Sequence, residues 1–202
     1  MCGRAYISTS ANALYQGPVQ SISKTKWKEA TASFSPKFSS APFKTESTVS
    51  PGQILPVLRC VSSNGGSSRS SPEFLFEPML WGLISPYNKN PTVEPGDFFK
   101  MFNARSETMH EKPSFKNLLS TRRCIVFFDG YFEWKGLKGQ KQPFYIHEHV
   151  GNPLKAAGLY DINKYNGVTS VTIITQAPYD IGLESVHDRQ PVVRAYFFIH
   201  LQ

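Results

Sequence analysis

The stretch CIVFFDGYFEWK (124–135) gives the strongest strand signal in this chain. Bulky aliphatic and aromatic side chains fill it, as they fill strands that pack against a core. The segment GLKGQKQ (136–142) follows as a hairpin turn whose glycines can adopt positive φ, and PFYIHEHV (143–150) returns as the partner strand. The sequence therefore predicts an antiparallel hairpin as the centre of the fold.

The same stretch contains a carboxylate among aromatic residues. Strand alternation puts Tyr131 and Glu133 on one face, and Phe132 and Trp134 on the other. Buried carboxylates are rare unless they are paired. A desolvated glutamate has a raised pKa and can transfer protons near neutral pH, so Glu133 is a candidate acid–base residue. The alternative is that Glu133 lies on the solvent face of an edge strand.

The other secondary-structure signals are mostly strands, and the helical ones are short. A helical turn is expected at the start of 95–107, which then continues as a loop, and a short helix over 114–121 follows Pro113. This pattern predicts an α+β, mainly β fold, with a curved antiparallel sheet or barrel-like core and a few short helices. The further predicted strands are ILPVLRCV (54–61), FLFEPMLWGLI (74–84), LKAAGLYDI (154–162) and VTSVTIITQAP (168–178).

The length of 202 residues predicts a single domain, which we place at residues 1–193. Residues 17–52 are rich in Ser, Thr, Pro and Lys and predict an extended loop. The low-complexity segment SSNGGSSRSSP (62–72) predicts a flexible insertion. The final segment, 194–202, is expected to be an atypical C-terminal tail.

The chain is basic, with 22 basic and 15 acidic side chains and a net charge of +7. This charge favours a polyanionic partner, although many proteins without such a partner have a similar charge. The sequence has neither an apolar run of about 18 residues nor an apolar signal segment, so we expect no membrane span and no secretion. Three widely spaced cysteines predict neither a disulfide framework nor a zinc site, and we expect no metal and no cofactor.

Cys2, in the opening MCGR, occupies a chemically special position. If Met1 is removed, Cys2 carries a thiol and a free α-amine on adjacent carbons. The alternative is that this cysteine is incidental, because chain termini tolerate change.

Two more polar motifs interrupt the hydrophobic pattern. In NARSE, Asn103 could cap a helix, and Arg105 could pair with Glu107 or bind a phosphate. In SVHDRQP, His187 titrates near physiological pH, and Asp188 could pair with Arg189 or Arg194. Cys2, Asn103, Glu133 and His187 together would supply a nucleophile, a polar positioning group and two proton carriers.

The order of short motifs along the chain carries a family resemblance. The motifs are MCGR, VSPGQILPV, MLWGLI, NARSET, RRCIVFFDGYFEWK, QPFYIH, AGLYD, TIIT and HDRQPVV. From residue 1 to about 193 the chain resembles the SOS response-associated peptidase (SRAP) family, the abasic-site processing proteins. The resemblance implies the fold of that family and a role in the DNA damage response. The implied partners are single-stranded DNA with an abasic site and replication-fork proteins. It also implies a monomer that is nuclear in a eukaryote and otherwise cytoplasmic.

The resemblance also implies residue roles. Cys2 would attack the lesion and form a covalent DNA–protein crosslink, with Asn103, Glu133 and His187 completing the catalytic site. Arg4, Arg105 and Arg189 would bind phosphates. Two further DNA contacts stand where the chain departs from the family pattern: Tyr87 replaces an expected tryptophan, and Lys112 precedes a proline that replaces an expected arginine.

The implied chemistry needs the amine and the thiol of Cys2 together. Their ordinary pKa values of about 8 and 8.5 make both nucleophilic forms accessible near neutrality. The amine would condense with the aldehyde of a ring-opened abasic sugar, and the thiolate would close a thiazolidine in a lyase-like reaction. Glu133 would transfer protons during imine formation, and His187 would assist sugar ring opening.

Three alternatives remain open. The chain could be a cysteine peptidase, a hydrolase that uses Cys2 and Glu133 to remove its own Met1. It could be a non-covalent reader of modified or single-stranded DNA. It could also be an inactive short form, because the family domain is expected to continue beyond HDRQP, where this chain has RAYFFIHLQ.

Overall fold

The computed structural model describes residues 3–7, 47–61, 73–90, 93–137, 139–148, 153–179, 181–193 and 198–201. Cys2, the predicted insertion at 62–72 and most of the predicted loop at 17–52 lie outside these residues. The helices are α1 (Pro95–Phe98), α2 (Pro113–Lys116) and α3 (Ile181–Glu184). The strands are β1 (Ala5–Ile7), β2 (Ser47–Val49), β3 (Ile54–Val61), β4 (Glu73–Trp81), β5 (Asn103–Arg105), β6 (Arg123–Phe128), β7 (Gly130–Leu137), β8 (Gln140–His147), β9 (Leu154–Ile162), β10 (Thr169–Gln176), β11 (Gln190–Pro191) and β12 (Phe198–Leu201).

Five strands close into a barrel in the order β10–β4–β3–β6–β9 and back to β10. Closure occurs because β10 pairs with β4 along one edge and with β9 along the other. Closing a sheet on itself removes its exposed edges. The predicted mainly β fold with a barrel-like core is confirmed, and the structure adds that β10 runs parallel to both β4 and β5.

A second sheet packs beside the barrel in the order β12–β8–β7–β1–β2. Its centre is the β7–β8 hairpin, in which Gly130 lies opposite His147 and Leu137 opposite Gln140. The predicted hairpin is confirmed, although both strands extend into the predicted turn. Gly139 supplies the positive φ of the turn, at 85°.

The predicted single strand at 124–135 is wrong in one respect, because it breaks at Asp129. β6 belongs to the barrel and β7 to the second sheet. The Asp129 amide leaves the barrel ladder and donates to the carbonyl of Tyr6 at 2.8 Å. Gly130 then fits beneath Tyr145, where any Cβ would come within 2.5 Å of that ring. The Asp-Gly pair therefore passes the chain from one sheet to the other.

Four other segments differ from their predictions. Ser47–Val49, within the predicted loop at 17–52, form β2, because they pair with β1. Residues 103–105 form a strand rather than a loop, because they extend the edge of β10 beyond β4. The strand predicted over 74–84 ends at Trp81, where Gly82 has a φ of 120°. The helix predicted over 114–121 is regular only at α2 and continues as tight turns. Of the apolar residues expected to share one face of this helix, Phe115 and Leu118 are buried and Leu119 is half-buried.

The barrel interior is filled by aliphatic and aromatic side chains. Trp81 is fully buried, and its indole Nε1 donates to the Phe102 carbonyl at 3.0 Å. This bond anchors the residue that precedes β5. The fully buried side chains in the barrel interior include Leu55, Val57, Met79, Val126, Ala156, Val171 and Ile173.

Of the helices within the described ranges, none has the length and apolar character that a membrane crossing requires.

Candidate active site

A carboxylate and an imidazole meet where β7 faces the rim of the barrel. Nε2 of His187 lies 3.8 Å from Oε2 of Glu133. Glu133 is only 3% exposed, and Tyr131, on the same face of β7, is fully buried. The predicted buried position of Glu133 is confirmed, and the alternative of a solvent-facing edge position is wrong.

Burial controls the protonation of Glu133. Removal from water disfavours the carboxylate form, and the nearby charge of Asp188 acts in the same direction. Together they raise the pKa of Glu133 to about 7. A carboxyl group with this pKa is present in both forms at neutral pH, so it can give and take a proton.

His187 is positioned by the turn that ends α3. Its backbone amide donates to the Leu183 carbonyl at 2.9 Å, and Leu183 and Val186 are buried beside it. The Arg189 backbone amide donates to Nδ1 at 3.0 Å, which requires a lone pair on that nitrogen. In this neutral tautomer, Nε2 carries the proton and faces Glu133. Burial disfavours the charged imidazolium and therefore lowers the pKa of His187, so the neutral form is favoured.

Asp188 offers Nδ1 of His187 a competing contact. Its Oδ1 lies 2.8 Å from Nδ1, but the Asp188 side chain is 84% exposed. A carboxylate at this distance requires a proton on Nδ1, which either the charged imidazolium or the neutral Nδ1–H tautomer supplies. The two partners of Nδ1 therefore stabilise alternative protonation states of His187.

Arg189 joins the loop between α3 and β11, here called the His187 loop, to the segment after β5 and to β10. Its guanidinium donates to both carboxylate oxygens of Glu107, at 2.8 and 2.9 Å, and to the Thr175 carbonyl at 2.6 Å. The hydrogen bonds from Arg189 are the main cause that lowers the pKa of Glu107 to about 2. Glu107 thus pairs with Arg189 rather than with Arg105. The phosphate-binding role of Arg189 stays a prediction, and this guanidinium already holds protein groups together.

Asn103 lies on β5 at the same rim of the barrel. It is opposite Ile173 of β10, and Arg105 is opposite Thr175, the residue whose carbonyl Arg189 contacts. Asn103 is therefore about 7 Å along the strand from the level of that contact. Ala104 points to the other face and is fully buried. The helix-cap alternative for Asn103 is wrong, because the residue is part of a strand.

The start of the described chain also reaches this place. Ala5 lies opposite Tyr131, and the Phe132 amide donates to the Arg4 carbonyl at 2.9 Å. Continuing this antiparallel register by two residues puts Gly3 opposite Glu133. The guanidinium carbon of Arg4 lies 5.2 Å from the centre of the Trp134 ring. Arg4 is exposed, and its phosphate-binding role stays a prediction.

The remaining predicted contact residues lie on the surface. Tyr87 is 79% exposed on the loop after β4, and Lys112 is exposed immediately before α2. Their DNA contacts stay predictions. Across the described residues, no three side chains of the metal-ligating types come together.

Sequence reasoning missed two parts of the site. The sequence indicates Glu107 only as a possible partner of Arg105, two residues away. Thr175 lies in the apolar run TIIT and is completely buried. The sequence signal that indicates it is a polar residue within a run expected to be buried.

These observations define a small β-barrel protein with a candidate acid–base pair at the barrel rim, beside the first residues that the structure describes. The chain belongs to the family described as SOS response associated peptidase (SRAP), whose profile matches residues 1–195. The family resemblance noted from the motifs is confirmed.

Three similar curated relatives are all named abasic site processing proteins. YoqW of Bacillus subtilis is 40% identical over 119 residues, which cover 57% of this chain and 51% of the relative. YedK of Escherichia coli is 34% identical over 119 residues, covering 58% and 50%. HMCES of Rattus norvegicus is 31% identical over 175 residues, covering 71% and 48%. The chain thus spans about half the length of the curated relatives it matches.

Solved structures support the fold. An X-ray structure of a protein from Bacteroides thetaiotaomicron superposes with a TM-score of 0.68 at 24% identity, covering 95% of this chain and 76% of the other. A protein from Bordetella bronchiseptica gives a TM-score of 0.64 at 21% identity, covering 95% and 83%. At these identities the similarity shows the fold alone.

Proposed function

We propose that this chain processes abasic sites in DNA, and that it captures the lesion in single strands through a covalent bond to Cys2. The observation that carries the proposal is the 3.8 Å contact between Glu133 and His187, at the level that Gly3 would reach if the register of β1 with β7 continued. The names of the relatives, abasic site processing proteins, supply the substrate class. The basic net charge of +7 suits a DNA partner.

Chain connectivity is central to the proposal. Cys2 is bonded to Gly3, so their Cα atoms are about 3.8 Å apart across a trans peptide. If the register of β1 with β7 continues for two more residues, Gly3 lies opposite Glu133. An α-amine on Cys2 would therefore be generated close to a carboxyl group that titrates near neutral pH.

The proposed reaction is a condensation that releases one water. The Cys2 amine adds to the C1′ aldehyde of the ring-opened sugar and gives a carbinolamine. Its hydroxyl leaves as water after protonation, and the C–N bond becomes an imine. The thiol sulfur then bonds to the same carbon while its proton passes to the imine nitrogen. The product is a five-membered thiazolidine, which requires an amine and a thiol on adjacent carbons.

Glu133 and His187 would divide the proton transfers. Protonated Glu133 can donate to the departing hydroxyl, and its carboxylate can take a proton from the attacking amine. Neutral His187, with its proton on Nε2, can donate to the sugar ring oxygen as the ring opens. The same transfers in reverse would release the crosslink.

The other predicted residues would hold the substrate. Asn103, on β5, would hydrogen-bond the N-terminus. Arg4 and Arg105 are exposed and would meet phosphates, whereas Arg189 could do so only while sharing its guanidinium with Glu107. Tyr87 would stack on a base, and Lys112 would contact a phosphate.

The deciding experiment incubates the purified protein, with Met1 shown to be absent by mass, with single-stranded DNA that contains one abasic site. A denaturing gel should show a shifted band that forms without borohydride. Cys2→Ala should abolish the band, whereas Cys60→Ala, which removes an exposed free thiol, should leave it unchanged. A preparation that retains Met1 should also give no band, because its amine is not adjacent to the thiol.

Two results would overturn the proposal. A band of full intensity from Cys2→Ala would move the crosslink to another residue. A folded wild-type protein that binds the DNA without any crosslink would favour the non-covalent reader instead.

A peptidase activity is the second candidate, because the family is described as a peptidase and the same Glu133–His187 pair faces the start of the chain. The pair would act on the peptide bond between Met1 and Cys2. In cells that lack methionine aminopeptidase, wild type should then lose Met1 and Glu133→Gln should retain it. Equal retention of Met1 in both proteins would exclude this activity.

A further inference from the structure

Two loops at one end of the barrel present a tyrosine beside two lysines. Tyr165, in the β9–β10 loop, is 45% exposed. The ammonium nitrogens of Lys164 and Lys89 lie 5.0 and 6.0 Å from the centre of its ring. We call Lys89, Lys164 and Tyr165 the lysine–tyrosine platform. None of the three belongs to the candidate active site.

A buried asparagine fixes this arrangement. Asn163 is 1% exposed, and its Nδ2 donates to the carbonyls of Ser85 and Asn88, both at 3.0 Å. Its Oδ1 accepts from the backbone amides of Tyr165, at 2.8 Å, and Asn166, at 3.1 Å. One side chain thus joins the loop that carries Lys89 to the loop that carries Tyr165.

A second asparagine strengthens the connection. Asn166 donates through Nδ2 to the Asn90 carbonyl at 3.1 Å and accepts from the Val168 amide at 3.1 Å. Gly167 takes the positive φ of 71° that the loop needs. The backbone of both loops is therefore held in place before any ligand arrives, which lowers the entropy lost on binding.

The charge of the platform is available to a partner. Within the described ranges, neither Lys89 nor Lys164 forms an ion pair with a carboxylate. Both side chains are exposed. An aromatic face flanked by two ammonium groups matches a base flanked by two phosphates.

The platform lies at a useful distance from the candidate active site. Its loop leads directly into β10, and Asn103 is opposite Ile173, four residues into that strand. At about 3.3 Å per residue, the level of Asn103 is about 13 Å from the start of β10. At the spacing of one strand of double-helical DNA, about 3.4 Å per nucleotide, a DNA strand covers this distance in about four nucleotides.

We propose that the lysine–tyrosine platform binds a base and its adjoining phosphates in the single strand that flanks a captured lesion. This inference rests on the proposed function. A base would displace one ammonium group from the face of Tyr165, and the displaced lysine would pair with the nearest phosphate.

The test compares two abasic oligonucleotides, one of 5 nucleotides, whose two nucleotides on each side of the lesion are too few to reach the platform, and one of 15, near the upper site size of about 16. The lesion is central in both. Tyr165→Leu should weaken binding of the longer DNA roughly five- to a hundredfold, as expected for one lost stacked base. Lys89→Gln combined with Lys164→Gln should lower the slope of log K against log salt by about 1.4. Crosslinking of the shorter DNA at saturation should not change.

Two matched control variants test whether the effects on binding and on the salt slope are specific to the platform. Tyr165→Phe keeps the ring and should bind as wild type. Lys100→Gln combined with Lys116→Gln removes two exposed lysines from other surfaces and should keep the wild-type salt slope.

The outcomes separate the two proposals. Equal binding of the longer DNA by wild type and Tyr165→Leu would overturn the platform, as would equal competition by a polyglutamate peptide. If wild type crosslinks neither DNA, the proposed function fails. In that case, weaker binding of the undamaged longer DNA by Tyr165→Leu would still support a nucleic-acid surface.

Discussion

Glu133 makes the stability of the fold depend on pH. Its pKa is raised to about 7 in the folded protein, from an ordinary value of 4.5. The folded state therefore binds this proton more tightly than the unfolded state does. The stabilisation that this tighter binding provides is complete below pH 4.5 and is lost as the pH rises through 7. Glu133→Gln removes this titration. At pH 8 it should raise the free energy of unfolding by about 3 kcal/mol, and at pH 4.5 it should change little.

Urea unfolding at both pH values checks this prediction. Glu184→Gln, an exposed carboxylate on α3, is the matched control and should behave as wild type. A Glu133→Gln effect of equal size at pH 4.5 and pH 8 would mean that the substitution acts through packing and not through the proton.

Asp188 should influence both partners of the acid–base pair. Its charge raises the pKa of Glu133 and opposes the lowering of the pKa of His187. Asp188→Asn should therefore lower both pKa values. NMR titration of the His187 ring and the pH profile of crosslinking should both move to lower pH. Unchanged curves would show that solvent screens this exposed carboxylate completely.

At the level of single residues, the sequence indicated Glu133 because alternation and aromatic neighbours are local signals. It indicated His187 only as a polar residue near a turn. The contact between them depends on two sheets that meet, and no local pattern encodes that distance. The pairing of Glu107 with Arg189 is hidden for the same reason, since the partners are 82 positions apart.

Among elements, the contact of Arg189 with Glu107 joins the His187 loop to the segment after β5. Glu107→Gln keeps the shape but removes the charge of the bidentate pair. Because Glu107 is about half exposed, we expect a loss of only about 1 kcal/mol in unfolding free energy at pH 7. The depressed pKa means that wild type loses the same contribution as the pH falls from 4.5 to about 2.

Urea midpoints at pH 7 and pH 2 measure this effect. Glu111→Gln, an exposed carboxylate in the same turn region, should leave the midpoint unchanged at pH 7. A loss from Glu107→Gln that persists undiminished at pH 2 would contradict an electrostatic origin.

The junction between β4 and α1 depends on Gly82. Its φ is 120°, and a Cβ there would lie 2.4 Å from the Cβ of Phe98. Gly82→Ala should destabilise the fold by about 2–4 kcal/mol through overpacking and backbone strain. Gly96→Ala on α1 has no atom within 4 Å of the new methyl group and should be neutral or slightly stabilising. Thermal unfolding of both variants measures the difference, and equal melting temperatures would contradict it.

Predictions for whole strands succeeded where composition and burial agree, as at β3 and β9, whose bounds match their predicted ranges. They failed where a distant group decides the path. Asp129 looks like an interior strand residue, but the carbonyl of Tyr6 draws its amide out of the barrel ladder. β5 likewise becomes a strand only because β10 has an edge for it to pair with.

For the whole molecule, barrel closure should divide the backbone into slow and fast exchanging parts. The Ile173 amide lies inside the closed barrel and donates to the Phe102 carbonyl at 3.1 Å. The strands β2 and β12 are at the ends of the open sheet and can open locally. In native-state hydrogen exchange, the Ile173 amide should exchange at least about a hundredfold more slowly than amides of these edge strands. Uniform exchange rates would mean that the two sheets unfold as one unit.

The late position of β10 has a consequence during synthesis. The barrel cannot close before residues 169–176 exist, and His187 follows still later. About 180 residues separate Arg4 from His187. At translation rates of about 5–20 residues per second, a ribosome needs roughly 10–40 s to cover that distance. Throughout that interval the start of the nascent chain remains accessible to processing enzymes, and the acid–base pair that would act beside it has not yet formed.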